Sequence, residues 1–70
     1  MTVATKIRMI LAQRGMNFAE LSKKLNRSPS TISDKMKRDD FRESDLKEIA
    51  EILNYDYEIV FTDRETGKKI

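Results

Sequence analysis

The polar side chains with the greatest capacity for chemistry are concentrated between Ser28 and Arg38. Hydroxyls, one carboxylate and several cations occur there: Ser28, Ser30, Thr31, Ser33, Asp34, Lys35, Lys37 and Arg38. Such groups form hydrogen bonds and ion pairs, so the set suits binding to a polar, anionic partner. Ile32 and Met36 stand four residues apart and predict a narrow buried seam on a helix that is otherwise exposed.

The residues that most enzymes use are missing. The chain has no His and no Cys, which excludes a zinc finger, a thiol nucleophile and the usual general base. No Gly-rich phosphate loop or catalytic pair of carboxylates occurs, and Asp39 and Asp40 have too few potential ligands near them for a metal site. We therefore expect no enzyme activity, no metal and no cofactor.

A helix start precedes the polar stretch. Asn17 and Glu20 have the spacing of a capping box, in which the Asn side chain accepts from a free backbone N–H. A helix is therefore predicted to begin near Phe18. It is predicted to end between Lys24 and Asn26, because Asn tolerates the left-handed conformation that a turn requires.

A second helix start follows at once. Ser28 is a favoured N-cap, and Pro29 suits the first helical position because its missing N–H is not needed there. The second helix is predicted from Pro29 to about Lys37. Residues 17–38 are thus two short helices joined by a tight turn.

Two further helices are predicted on either side of this pair. The first runs from about Thr2 or Val3 to Arg14 and ends at Gly15; the fourth runs from about Glu43 to Leu53. The first has an apolar stripe, formed by Val3, Ile7, Ile10 and Leu11. Both are expected to support the central pair.

The last residues have a different pattern. Tyr57, Ile59 and Phe61 occupy alternate positions, which is strand periodicity. Residues 63–67 have turn composition, and residues 68–70 are a candidate return strand. A β-strand or hairpin is predicted, and an isolated hairpin needs packing on the helices or pairing across a dimer.

Charge is divided along the chain. Residues 1–38 carry nine cations and two acids, a net +7, whereas residues 39–58 carry eight acids and two cations, a net −6. Such a molecule would orient its basic half towards a polyanion. The alternative is that the charged surface only keeps a small domain in solution.

Seventy residues form one small domain that would gain stability by dimerising. The N-terminal segment is interrupted by Lys6, Arg8 and Arg14, which excludes a signal peptide or a membrane span there. We expect a cytoplasmic location and no membrane partner. Lys6 and Arg8 are predicted to be solvated rather than bound to a partner.

Residues 17–38 resemble the helix-turn-helix of the phage lambda-type repressor and Cro family, also called the XRE family. The positions that match in order are Asn17, Glu20, Leu21, Ser22, Leu25, Ser28, Thr31, Ile32 and Ser33. With the flanking helices, the resemblance covers residues 3–53. Asn26 replaces the usual glycine and Arg27 the usual apolar residue. Phe18 replaces a common Gln and removes a phosphate or base contact that the family often uses.

The resemblance implies a mainly α fold: a four- to five-element, lambda-repressor-like DNA-binding domain with a C-terminal β-strand or hairpin. The helix-turn-helix domain is expected at residues 1–56 and the C-terminal segment, with a role in dimerisation, at residues 57–70. The implied function is a phage or prokaryotic transcriptional regulator, a repressor of Cro type, that binds double-stranded DNA as a homodimer without a small-molecule effector. The alternative is a protein-interaction module on the same fold, such as an antitoxin-like protein, a phage inhibitor or an adaptor.

Family-like docking places the second motif helix in the major groove and the first across the backbone. The implied base-contact residues are Ser28, Pro29, Ser30, Ser33 and Asp34. The implied phosphate-contact residues are Asn17, Arg27, Thr31, Lys35, Lys37 and Arg38. None of the base-contact residues is Arg, Asn or Gln, which make discriminating bidentate pairs, so salt-sensitive binding with modest base discrimination is expected.

Dimerisation through Tyr57, Ile59 and Phe61 is a hypothesis that follows from the same resemblance, because C-terminal strand pairing makes dimers in the Cro branch. The alternative is that this segment only covers its own helices. Lys35 and Lys37 also have a simpler interpretation, as solvated charges.

Overall fold

The computed structural model describes all 70 residues and contains four α-helices. They are α1 (Val3–Arg14), α2 (Phe18–Lys24), α3 (Pro29–Arg38) and α4 (Glu43–Leu53). All four predicted helices are confirmed, and α3 is one residue longer than expected. The longest, α1, has 12 residues, and none of the four has the length and apolar character that a membrane span requires.

Local hydrogen bonds explain where the motif helices begin. The Asn17 side chain accepts from the Glu20 backbone N–H at 2.9 Å, and Ser28 Oγ accepts from the Thr31 N–H at 3.4 Å. The turn between them contains Asn26 with a φ of 60°, the left-handed conformation that its residue type allows. The α2–turn–α3 unit is therefore specified by residues close together in sequence.

All four helices contribute to one apolar core. Its buried members are Ala4, Ile7, Leu11, Leu21, Leu25, Ile32, Met36, Ile49 and Leu53. Met16 and Phe41 lie half-buried against this core. The α1 stripe is shifted from the predicted one, because Val3 is 37% exposed and Ala4 is buried in its place.

Polar contacts join α1 to the ends of α3 and α4. Arg14 Nε donates to the Leu53 carbonyl at 2.9 Å, and its guanidinium lies over the Tyr55 ring at 4.6 Å. At the other end, the Asp39 carboxylate accepts from the Ala4 N–H at 2.8 Å. These contacts satisfy free backbone groups at helix ends while holding α1 against the motif.

The predicted C-terminal β-strand or hairpin is not supported, since residues 55–70 contain no strand or sheet. Thr62 and Lys69 form one isolated antiparallel bridge, and Gly67 has a φ of 75° in the turn between them. Every residue from 56 to 70 is exposed. The two short segments that this bridge joins are marginally stable in water unless something packs on them, and no other part of the chain covers them.

Candidate nucleic-acid interface

The outer side of α3 forms a shallow, open groove that we call the α3 groove. It is lined only by polar and charged residues: Ser30, Thr31, Asp34, Lys35, Arg38 and Asp40. The opposite side of α3 carries Ile32 and Met36, which are 1% and 4% exposed. The narrow seam predicted from the sequence is thus confirmed, and the remaining surface of α3 is free to contact a partner.

Three hydroxyl groups meet at the start of α3. Ser28 Oγ lies 2.8 Å from Thr31 Oγ1 and 3.2 Å from Ser30 Oγ. All three residues are exposed, as is Pro29 between them. A hydroxyl both donates and accepts, so each can form a further hydrogen bond outward. Four of the predicted contact residues therefore lie together at the start of α3. This is the end of the helix that enters the major groove of DNA in family-like docking.

The second half of α3 combines a carboxylate with cations. Arg38 Nε lies 3.4 Å from Asp34 Oδ2, and the two side chains are 70% and 58% exposed. An exposed pair at this spacing is weak, so both groups remain available to other partners. Lys37 is exposed and takes part in no salt bridge, whereas Ser33 is half-buried and only partly accessible.

A buried carboxylate lies beneath the motif. Asp45, in the first turn of α4, is 3% exposed. It accepts from Arg27 Nη1 at 2.7 Å, from Lys35 Nζ at 3.0 Å and from the Arg42 backbone N–H at 2.9 Å. Arg27 also reaches Glu48 at 3.4 Å. This group of residues, the Asp45 cluster, ties both the turn before α3 and the middle of α3 to α4.

The ionisation of Asp45 reflects this environment. The largest single influence is burial, which by itself would raise the pKa of its carboxyl. Hydrogen bonds from the Arg42 backbone, from Arg27 and from Lys35 outweigh burial and lower the pKa from 3.8 to about 2. The hydrogen bond to Asp45 in turn raises the pKa of Arg27. The carboxylate is therefore ionised at neutral pH.

The Asp45 cluster engages two predicted phosphate-contact residues. The Arg27 and Lys35 side chains are only 30% and 26% exposed, and both are directed at the same carboxylate. The role of Asp45 as the common partner of Arg27 and Lys35 was not predicted from the sequence. The available signal was Arg27, a cation where the resemblance leads one to expect an apolar residue, because a partly buried cation requires an acid nearby.

Asn17 is exposed at the start of α2. Its carbonyl oxygen is occupied by the Glu20 N–H, so its side-chain NH₂ group remains free to donate. The structure therefore provides exposed polar groups at the start of both motif helices, Asn17 on α2 and Ser28 on α3.

Comparison with known proteins gives one finding. A family model described as a Cro/C1-type HTH DNA-binding domain matches residues 6–58. No curated protein and no solved structure was found to match the chain. The matched segment contains α2, α3, α4 and every candidate base- and phosphate-contact residue, whereas Ile59 and Phe61 lie beyond it.

Proposed function

Since the chain belongs to the Cro/C1-type helix-turn-helix DNA-binding family, we propose that it is a transcriptional regulator that inserts α3 into the major groove of double-stranded DNA. The observation that carries this proposal is the division of α3, with Ile32 and Met36 buried and its polar groups outward. A protein seated in the major groove excludes others from the same base pairs. Repression is therefore the mode of action that we propose.

Base reading is assigned to the first turns of α3. Ser28 and Ser30 can hydrogen-bond to several base edges, and Pro29 offers an apolar contact to a thymine methyl group. Asp34 accepts only from an amino donor such as cytosine N4. Ser33 is half-buried and stands at the edge of this set. None of these side chains makes a bidentate pair of Arg–guanine or Asn–adenine type, so we propose modest base discrimination.

Phosphate binding is assigned to the groups that are free in the folded chain. Asn17 and Thr31 offer uncharged donors, and Lys37 and Arg38 offer charges. Arg27 and Lys35 are assigned to the Asp45 cluster instead, because their partly buried side chains are held by a buried carboxylate, whereas the pair between Arg38 and Asp34 is exposed and weak.

A homodimer is proposed through the C-terminal segment. Ile59, Val60 and Phe61 are 50%, 46% and 74% exposed, although they are apolar and adjacent. Tyr57 is held closer to its own protomer, because its hydroxyl donates to Glu43 Oε1 at 3.1 Å. Burying residues 59–61 against a second copy would remove this apolar surface from water. Helix-turn-helix dimers in general bind half-sites one helical turn apart, ~34 Å, and this is the spacing that we propose for the dimer.

The alternative is a protein-interaction module on the same fold. Exposed Ile59, Val60 and Phe61 favour it, since they would equally suit a different protein. The residues at the start of α3, Ser28, Pro29 and Ser30, carry no charge, and this also favours a protein partner. Phe18 does not, because it is half-buried against the core rather than exposed.

Selection from random duplexes distinguishes these functions. The purified protein is incubated with the pool at low and at moderate salt, and the retained DNA is sequenced. A two-fold symmetric site with half-sites ~34 Å apart would support a dimeric regulator. Retention without enrichment would leave non-specific DNA binding, and no retention at low salt would favour the protein-interaction function. Sedimentation of the purified protein without DNA measures dimer formation independently.

A further inference from the structure

A cation on α1 contacts the first residue of α2. The Arg8 guanidinium lies 5.9 Å from the centroid of the Phe18 ring, within the range of a cation–π interaction. Phe18 is half-buried against the core, so its ring has a fixed position. Arg8 itself is exposed and forms no salt bridge. The ring thus restricts where the guanidinium lies without neutralising its charge.

Arg8 and Asn17 border the same shallow depression. It is lined by Arg8, Leu11, Ala12, Met16, Asn17 and Phe18. Asn17 has a free side-chain NH₂ group, and Arg8 adds a planar set of N–H donors with a full charge. An amide and a guanidinium that converge on one depression provide both hydrogen bonds and charge for a phosphate oxygen.

We propose that Arg8 is a phosphate-contact residue and that Phe18 is its positioning residue. This proposal rests on the proposed function, in which α2 crosses the DNA backbone. Family resemblance treats Phe18 as the loss of a Gln contact, but the structure brings a cation from α1 to the same place. Arg8 therefore restores a backbone contact at the start of α2 and replaces a neutral donor with a charged one.

The test is the salt dependence of binding to a random-sequence duplex. Each cation that contacts a phosphate steepens the slope of log affinity against log salt by about 0.9. Arg8→Ala should therefore make the slope shallower by about one. At low salt it should weaken binding by about tenfold, the usual effect of losing a charged hydrogen bond. The ratio of wild-type affinity to Arg8→Ala affinity should fall by roughly threefold when the salt concentration rises fourfold.

Matched variants separate charge from structure. Lys6→Ala removes a charge from the same helix, but Lys6 lines a different groove, formed with α4 and residues 55–58, so the slope should not change. Arg8→Lys keeps the charge and should keep the wild-type slope. Phe18→Leu keeps apolar volume but removes the ring, so affinity should fall while the slope stays near that of wild type. Circular dichroism melts confirm folding, and Arg8→Gln replaces Arg8→Ala if the latter is unstable.

The possible results have distinct meanings. If wild type binds and Arg8→Ala has the wild-type slope, the Arg8 assignment is overturned while the proposed function stands. If Phe18→Leu binds as tightly as wild type, Phe18 does not position Arg8. If wild type retains no duplex even at low salt, the proposed function fails and the Arg8 contact fails with it.

Discussion

Asp45→Asn is expected to destabilise the fold through the motif. The substitution keeps the size of the side chain but removes its charge. Asn can still accept from the Arg42 N–H, but Arg27 and Lys35 lose the carboxylate that both face. Removing one partner of a buried ion pair commonly costs about 3–5 kcal/mol, because the other charge is left unpaired.

The cost here should lie at or below the lower end of that range. Arg27 and Lys35 are 30% and 26% exposed, so water can solvate them in part, and Arg27 keeps Glu48. The lowering of the Asp45 pKa from 3.8 to about 2 corresponds to about 2 kcal/mol of stability at neutral pH. For a domain of this size, a loss of that magnitude lowers Tm by roughly 8–16 °C.

The loss should depend on pH in a defined direction. The native pKa of Asp45 is lower than its unfolded value of 3.8. The carboxylate therefore makes its full contribution to the free energy of unfolding above pH 3.8. The contribution decreases as pH falls towards the native pKa of about 2. At about pH 3, roughly half of the difference between wild type and Asp45→Asn should remain. Urea unfolding followed by circular dichroism at pH 7 and pH 3 measures both differences.

Asp34→Asn is the matched control. Asp34 is 58% exposed and pairs only with the exposed Arg38, so its replacement should cost at most about 0.5 kcal/mol. A loss for Asp45→Asn below about 1 kcal/mol at pH 7, or an equal loss at pH 3, would refute the inference that a buried, ionised Asp45 stabilises the motif.

Three further predictions concern DNA binding and assembly. Replacing Lys37 and Arg38 together by Ala should weaken binding to all duplexes about equally and reduce the salt slope by roughly two, measured by fluorescence anisotropy; Lys47→Ala on α4 is the control, and an unchanged slope in the double variant would remove both residues from the interface. Ser30→Ala should change the preference among selected sites, whereas an equal loss on random DNA would contradict base reading by this hydroxyl. Phe61→Ser should weaken the dimer in sedimentation while the far-UV circular dichroism of the four helices is retained, because Phe61 is 74% exposed and lies outside the core; an unchanged dimer would place the interface elsewhere.

The helix boundaries were predictable because their causes are local. Asn17 and Ser28 cap through the backbone N–H three residues later, and Gly15 and Asn54 end α1 and α4 in the left-handed conformation. Such contacts depend on a few neighbouring residues. The buried seam of α3 was also predictable, since the four-residue spacing of Ile32 and Met36 places both on one side of a helix.

The C-terminal segment shows where periodicity misleads. Tyr57, Ile59 and Phe61 alternate as strand residues do, yet residues 57–61 form no strand. Alternation describes which side chains share a face, whereas a strand also requires a partner for its backbone. The chain itself offers only the short pairing around Thr62 and Lys69.

The four helices, the helix-turn-helix and the family could be predicted from the sequence, because each depends on caps, spacing and apolar periodicity within a few turns of chain. Which cations are free depends instead on contacts between the packed helices. The tertiary structure joins Arg27 and Lys35 to Asp45, and it places Arg8 on the ring of Phe18. These partners are ten or more residues apart in sequence. Local pattern does not encode such contacts, since they form only when the core brings the helices together.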